Sequence, residues 1–236
     1  MNIAIILAGG VGARTGQDVP KQFLCIDNKP VLVYTLEKFQ KCDAIDKIVV
    51  AGLEGWELVV KAYAMQFGID KLHKVITGGE NRQGSICNAV FAVEDIAGEN
   101  DIVCVYDANR PAIDERIIAK GVQMMEQGSE AIVGVTACYD TMFTSDLERD
   151  NILGPANRDV LMNGTGPDYI HYHNLRRLMD KYRDYPKALT VAEMCLLDNL
   201  PLKALETSSK CFKITTVDDV EIFKALLHAD KYTWLK

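Results

Sequence analysis

Residues 2–7 read NIAIIL, and the glycine-rich segment AGGVGARTGQDVPKQF follows at once at residues 8–23. An unbroken apolar run of this length is typical of a strand that is buried on both faces of a sheet. Similar runs return at residues 47–53, 101–106 and 130–135, separated by segments with apolar residues at helical spacing. The alternation predicts an α/β fold in which a Rossmann-like, mostly parallel sheet is flanked by helices. Ligands of such sheets bind outside the carboxyl ends of the strands, so functional residues are expected directly after strands.

The other segments complete this plan. A short strand is predicted at 73–76, helices at 31–41, 54–67, 83–95, 167–182 and 188–198, and a further helix that Asp114 caps and that ends before Gly128. The polar stretch 137–163 breaks the alternation and predicts an extended arm. KITTVDDVEIFKALLH at 213–228 predicts a short strand and a helix with Thr216 as its N-cap. With no linker rich in Gly, Pro or Ser, we expect a single domain over residues 1–236.

Composition excludes several classes of function. There are 26 Lys and Arg against 33 Asp and Glu, a net charge of −7, which disfavours a nucleic-acid partner. No apolar run reaches the ~18 residues of a membrane span, so no membrane partner is expected. The seven cysteines include no CxxC pair and several lie in apolar runs, which indicates buried thiols in a reducing cytoplasm.

The glycine-rich segment is the strongest candidate for chemistry. Gly9, Gly10 and Gly12 allow the backbone to approach a ligand and to turn its N–H groups toward phosphates. Arg14 and Lys21 add positive charge beside that turn. Neither the Walker signature GxxxxGK[ST] nor the Rossmann signature GxGxxG is present, and a plain structural turn is the alternative.

Two further motifs follow predicted strands. GGENRQGS at 78–85 places Arg82 and Ser85 at the start of a helix, where N–H groups favour an anion; a solvated arginine is the alternative. YDANRP at 106–111 places Asp107 where a metal ligand would lie, with Arg110 close behind. The alternative for Asp107 is a local turn cap.

In order along the chain, LAGGVGARTGQDVPKQF, GGENRQGS, YDANRP and FKITTVDD resemble the signatures of the cytidylyltransferases that act on polyol phosphates. That family contains the 2-C-methyl-D-erythritol 4-phosphate and the ribitol 5-phosphate enzymes. The resemblance implies a fold of the nucleotide-diphospho-sugar transferase type. It also implies transfer of CMP from CTP to a polyol phosphate, with release of pyrophosphate and formation of a CDP-alcohol. A linear polyol phosphate such as D-ribitol 5-phosphate is favoured, which implies a precursor of a cell wall or surface polysaccharide.

The resemblance also implies residue roles, a Mg²⁺ cofactor and a homodimer in which the arm of one subunit completes the site of the other. By motif, the catalytic cations are Arg14, Lys21 and Lys213, and the metal ligand is Asp107. The acceptor-binding residues are Thr141, Arg158 and Arg110. The nucleotide-binding residues are Leu7, Ala8, Gly9, Gly10, Gly79, Glu80, Asn81, Arg82, Gln83 and Ser85.

The sequence departs from the family pattern mainly in its acceptor half. A carboxylate that often precedes the last lysine is replaced by Ser208 and Ser209, and a QTP stretch is replaced by NGTGP at 163–167. Phe143 stands where a basic residue often follows the arm's threonine, and Thr15 stands where Met is usual. Three alternatives therefore stay open: the methylerythritol enzyme, a nucleotide-binding relative with altered acceptor or no activity, and a nucleotidyltransferase that uses another NTP with a sugar 1-phosphate.

Overall fold

The computed structural model describes residues 1–10 and 19–229. The strands of these ranges are β1 (Asn2–Ala8), β2 (Cys25–Ile26), β3 (Lys29–Pro30), β4 (Lys47–Gly52), β5 (Leu72–Thr77), β6 (Ile102–Asp107), β7 (Ala131–Ala137), β8 (Phe143–Ser145), β9 (Ile152–Pro155), β10 (Met162–His171) and β11 (Leu202–Glu206). The helices are α1 (Val31–Lys41), α2 (Glu57–Gln66), α3 (Arg82–Ala92), α4 (Glu115–Glu126), α5 (Tyr172–Lys181), α6 (Val191–Leu197) and α7 (Val217–Ala229).

Seven of the described strands form one sheet in the order β11-β7-β10-β6-β1-β4-β5. β10 runs antiparallel to both of its neighbours, and the other pairings are parallel. Among the described strands, β2 pairs with β3 and β8 pairs with β9, each as a separate two-stranded sheet. The predicted α/β fold with a mostly parallel sheet flanked by helices is confirmed.

The unbroken apolar runs are explained by helices on both faces of the sheet. Ala4 and Ile6 of β1 pack on one side in a core shared with α1, α2 and α4. Ile3 and Ile5 face the other side, in a core shared with α3, α5 and α6. Because successive side chains of a strand point to opposite faces, every position of a central strand must be apolar.

The register of the sheet brings the ends of four strands to one edge. Leu7 pairs with Asp107, Ala8 pairs with Gly52, and Gly52 pairs with Thr77. Gly9 and Gly10 after β1, the GGENRQGS segment after β5 and the YDANRP segment after β6 therefore meet there. This is the edge at which the sequence predicts a ligand.

Two predicted elements are wrong, and one strand of the sheet was not predicted. Residues 167–171 belong to β10 and not to a helix, because Tyr169 and Ile170 are buried on opposite faces between β6 and β7. β11, an edge strand in which only Leu205 is buried, was not predicted. The short strand expected before α7 does not form, because Ile214 exchanges hydrogen bonds with Asn109 in the loop after β6 instead of joining the sheet.

The local capping predictions are confirmed. The Asp114 carboxylate accepts a hydrogen bond from the backbone N–H of Arg116, and Gly128 follows α4 with a φ of +93°. At the start of α7, Thr216 and Asp219 bond reciprocally as a capping box.

The arm is the connection between β7 and β10. It contains the β8–β9 hairpin, and no residue of 137–163 is buried. Large apolar side chains, among them Phe143, Leu147, Ile152 and Leu153, are exposed along it. In the described ranges, no helix has the length and apolar character needed to cross a lipid bilayer.

Candidate active site

A cavity of about 290 Å³, the first cavity, opens at the end of β1. It collects residues from all the motifs that the sequence singled out. Among the predicted nucleotide-binding residues, those that line it are Leu7, Ala8, Gly9, Gly10, Gly79, Glu80, Asn81, Arg82 and Ser85. The predicted catalytic residues Lys21 and Lys213 and the predicted metal ligand Asp107 line it as well. Arg14 lies outside the described residues.

Gln22 holds the beginning of the glycine-rich turn in place, a role that the sequence analysis missed. Its Nε2 donates hydrogen bonds to the backbone oxygens of Ala8, at 2.6 Å, and Gly10, at 3.0 Å. The Gln22 side chain is buried, and its amide thus satisfies these two carbonyl groups from within the protein. The signal was present in the PKQF segment, in which Gln22 follows the predicted catalytic residue Lys21.

The GGENRQGS segment forms the amino end of α3. The Asn81 carboxamide oxygen accepts from the N–H of Gly84 at 2.9 Å, and the Ser85 hydroxyl accepts from the N–H of Gly79 at 3.0 Å. A Cβ at Gly79 would lie 2.5 Å from the carbonyl carbon of Gly84, so only glycine fits there. This tight turn aims the positive end of α3 at the cavity, where an anion is favoured.

Gln83 is turned away from the first cavity. Its amide donates to the oxygen of Tyr182 at 2.7 Å and accepts from the N–H of Leu189 at 2.8 Å. The side chain is buried and ties α3 to the segment between α5 and α6. In the structure this side chain therefore links two segments of the fold, although the family resemblance grouped Gln83 with the nucleotide-binding residues.

Asp107 is the centre of a cationic cluster. Its carboxylate lies 2.9 Å from Nζ of Lys213 and 3.4 Å from Nε of Arg82 and of Arg110. Burial by itself would raise the pKa of this carboxyl, but the three cations outweigh burial and hold its pKa well below the usual value. One carboxylate among three cations leaves an excess of positive charge, which suits phosphate groups.

A second cavity, also of about 290 Å³, adjoins the first. Both are lined by Arg82, Asp107 and Lys213. The second cavity adds the predicted acceptor-binding residue Arg110, whose Nη1 donates to the oxygen of Cys211 at 2.9 Å. It also adds residues that the sequence analysis missed, namely Thr165, Asp168 and Thr190.

Asp168 is a second buried carboxylate at this site. It is 6% exposed, and its Oδ2 lies 3.7 Å from Nη2 of Arg82. Burial, with the charge of Asp107 adding to it, raises the pKa of Asp168 to about 6, while Arg82 acts in the opposite direction. The sequence pattern predicts a helix over 167–182 and so does not place Asp168 on a strand at the site.

The two predicted acceptor-binding residues of the arm lie apart from both cavities. Thr141 is exposed, and Nη1 of the exposed Arg158 donates to the oxygen of Tyr139 at 2.6 Å. Only the base of the arm approaches the cluster: a further cavity of about 420 Å³ is lined by Tyr139 and Asp140 together with Arg110 and Lys213.

A metal ion at this site would have few protein ligands. The described residues contain no group of three or more His, Cys, Asp or Glu side chains that could hold a metal. The Ser208 hydroxyl caps the turn at Lys210, and Oδ2 of Asp219 caps α7. This donor set fits a magnesium ion that is held mainly by the phosphates of a bound nucleotide, since Mg²⁺ binds in this way through one or two carboxylates.

Comparison with known proteins decides the family. The sequence model of the IspD family, 2-C-methyl-D-erythritol 4-phosphate cytidylyltransferase, matches residues 2–229 of this chain. The chain belongs to this family. The cytidylyltransferase resemblance in the sequence is thereby confirmed.

Within the IspD family, the chain is similar to proteins named for a different acceptor. It is 34% identical over 232 residues to the ribitol-5-phosphate cytidylyltransferase of Lacticaseibacillus paracasei, covering 96% of this chain and 98% of that protein. It is 32% identical to the enzyme of that name from Vibrio parahaemolyticus, with 96% of each chain covered.

Solved structures of the IspD family share the fold. The 4-diphosphocytidyl-2C-methyl-D-erythritol synthase of Anaerococcus prevotii superposes with a TM-score of 0.81 at 21% identity, covering 96% of this chain and 95% of that one. The 2-C-methyl-D-erythritol 4-phosphate cytidylyltransferase of Thermus thermophilus gives a TM-score of 0.77 at 22% identity, covering 97% of this chain and 100% of that one.

Proposed function

We propose that this IspD-family protein transfers CMP from CTP to D-ribitol 5-phosphate, forming CDP-ribitol and releasing pyrophosphate. The observation that carries the proposal is that Lys21, Arg82 and Lys213 line one cavity together with Gly9 and Gly10. The likeness to ribitol-5-phosphate cytidylyltransferases over nearly the whole chain supports the acceptor. The product is a precursor of a cell wall or surface polysaccharide.

The reaction needs positioning and charge stabilisation. An oxygen of the acceptor phosphate attacks the α-phosphorus of CTP, the bond from that phosphorus to the bridging oxygen breaks, and pyrophosphate leaves with the electron pair. The turn after β1 and the amino end of α3 bind the nucleotide through backbone groups. Lys21, Lys213 and Arg14 stabilise the charge that develops on the transferring and leaving phosphates.

Two polyanions must meet in this reaction, and the two adjoining cavities suit that need. CTP occupies the first cavity, and the acceptor occupies the second, beside Arg110. Because Arg82 and Lys213 line both, they lie where the two phosphates approach each other. Their charges reduce the repulsion between the substrates.

We further propose that Mg²⁺ enters with CTP. Asp107 would hold it, and the ion would supply charge neutralisation between phosphate oxygens. If so, Asp107→Asn binds CTP with the same dissociation constant in Mg²⁺ as in EDTA, whereas the wild type binds more tightly in Mg²⁺. Equal Mg²⁺ dependence in both proteins would show that the ion needs no ligand from this side chain.

A homodimer and a cytoplasmic location are also proposed. The exposed apolar side chains of the arm, such as Phe143, Ile152 and Leu153, would be covered by a second copy. The arm of that copy would bring its Thr141 and Arg158 to the acceptor phosphate. All seven cysteines are free thiols, which supports a reducing compartment.

A panel of nucleotides and acceptors tests the reaction class. The purified protein is incubated with Mg²⁺, with CTP, UTP, ATP or GTP, and with D-ribitol 5-phosphate, glycerol 3-phosphate or a sugar 1-phosphate. We expect pyrophosphate release with CTP and ribitol 5-phosphate only. Release with another NTP and a sugar 1-phosphate would contradict the proposal, and release under no condition would favour an inactive nucleotide-binding relative.

A further inference from the structure

The second cavity combines positive and negative groups in a way that a phosphate alone does not require. Its lining includes the cation of Arg110, the buried carboxylate of Asp168 and the hydroxyl groups of Thr165 and Thr190. A carboxylate repels a phosphate but accepts hydrogen bonds from hydroxyl groups. The cavity therefore suits a ligand that has a phosphate at one end and hydroxyl groups along the rest.

Asp168 has one long ion pair among the described residues. Its Oδ2 lies 3.7 Å from Nη2 of Arg82, which is within reach of an ion pair but beyond a normal hydrogen bond. Nη1 of the same guanidinium is buried and has no hydrogen-bond partner among the described residues. Buried polar groups are normally hydrogen-bonded. The Asp168 carboxylate and the Arg82 guanidinium can therefore each form a further hydrogen bond with a ligand.

The strand carries an irregularity that presents this side chain. The register of β10 against β7 shifts between Gly164 and Asp168, and Gly166 adopts a φ of +64° that suits glycine. Irregularities of this kind re-aim side chains beside active sites. The NGTGP segment, which departs from the family pattern, is the part of the sequence that produces it.

We propose that Asp168 determines acceptor specificity by accepting hydrogen bonds from the secondary hydroxyl groups of the polyol phosphate. The inference rests on the proposed function, because it assigns the acceptor to the second cavity. With its pKa raised to about 6, the group is mostly ionised at neutral pH and acts as an acceptor only. An acceptor molecule without these hydroxyl groups would leave the buried carboxylate unpaired, and sites of this kind reject such analogues.

Two acceptors of equal chain length test the proposal with the Asp168→Asn variant. D-ribitol 5-phosphate carries secondary hydroxyl groups, and 5-hydroxypentyl phosphate has none. The wild type is expected to prefer ribitol 5-phosphate in kcat/KM. Loss of a charge-assisted hydrogen bond should lower the kcat/KM of the variant for ribitol 5-phosphate by about 10- to 100-fold. Its kcat/KM for 5-hydroxypentyl phosphate and its KM for CTP should stay at the wild-type values. Asp184→Asn, an exposed aspartate, is the matched control.

Three other outcomes would contradict either the assignment of Asp168 or the proposed function. Equal losses for both acceptors, together with a raised KM for CTP, would mean that Asp168 only positions Arg82. An altered Mg²⁺ dependence would make it a metal ligand instead. If the wild type transfers CMP to neither acceptor, the proposed function itself fails, a result seen before any variant is made.

Discussion

Single side chains decide the charge of this site. Replacing Lys21 tests whether its positive charge stabilises the transition state. The lysine lines the first cavity beside the glycine-rich turn. Because charge on the phosphates is greater in the transition state than in bound CTP, Lys21→Ala should lower kcat by ~10²–10³ and change the KM for CTP much less. Steady-state kinetics measure both. The exposed Lys120→Ala variant controls for the loss of a positive charge, and wild-type kcat in Lys21→Ala would remove the residue from the mechanism.

The buried carboxylate of Asp168 makes stability depend on pH. Its folded pKa of about 6 lies above the usual value of an aspartate, so between about pH 4 and pH 6 the folded state retains a proton that the unfolded chain has released. The free energy of unfolding contributed by this group therefore falls as pH rises through that window. The pKa of Asp107 is lowered, so its contribution to the free energy of unfolding changes only below about pH 4. It therefore does not affect the change between about pH 4 and pH 6.

Urea denaturation of the wild type and of Asp168→Asn at a series of pH values measures this effect. The free energy of unfolding of Asp168→Asn should rise relative to that of the wild type as pH rises from about 4 to about 6. Above about pH 6 the difference between the two proteins should be constant. A difference that does not change with pH would show that Asp168 has an ordinary pKa.

At the scale of elements, the central strands and their motifs could be predicted from the sequence, but β10 could not. An apolar run such as residues 2–7 has one stable placement, with both faces covered. Residues 167–171 were assigned to the helix that follows, because apolar spacing at 172–182 extends backward into them. Residues 168–171 pair instead with β6 and β7. These partners are more than thirty residues away in sequence, as for Asp168 with Val105. That long-range pairing is what brings Asp168 to the site.

The amino end of α3 gives a prediction at the same scale, since Gln83 joins that helix to the segment between α5 and α6. Replacing Gln83 with Ala leaves a buried carbonyl and a buried N–H without partners. We expect a loss of roughly 1–3 kcal/mol in the free energy of unfolding, with the KM for CTP unchanged. Denaturant titration and steady-state kinetics check the two parts. A raised KM for CTP at unchanged stability would restore Gln83 to the nucleotide-binding residues.

At the scale of the whole molecule, the arm predicts an active site that two subunits share. Arg158 lies apart from both cavities of its own chain. An Arg158→Ala protein should therefore have a raised KM for the acceptor and an unchanged KM for CTP. Mixed dimers of Arg158→Ala and Lys21→Ala chains should recover activity, because one of their two sites combines an intact cavity with an intact arm. The mixture is compared with each parent after co-refolding or co-expression, and activity no greater than that of the parents would contradict a shared site.

We expect this protein to use CTP to activate a linear polyol phosphate, and a competition between two acceptors for limiting CTP tests that expectation. Equimolar D-ribitol 5-phosphate and 2-C-methyl-D-erythritol 4-phosphate are offered together with limiting CTP and Mg²⁺, and the two CDP-alcohols are quantified by mass spectrometry. The product ratio equals the ratio of the two kcat/KM values. We predict that CDP-ribitol is the dominant product. An excess of the methylerythritol product, or consumption of CTP without either CDP-alcohol, would contradict the account.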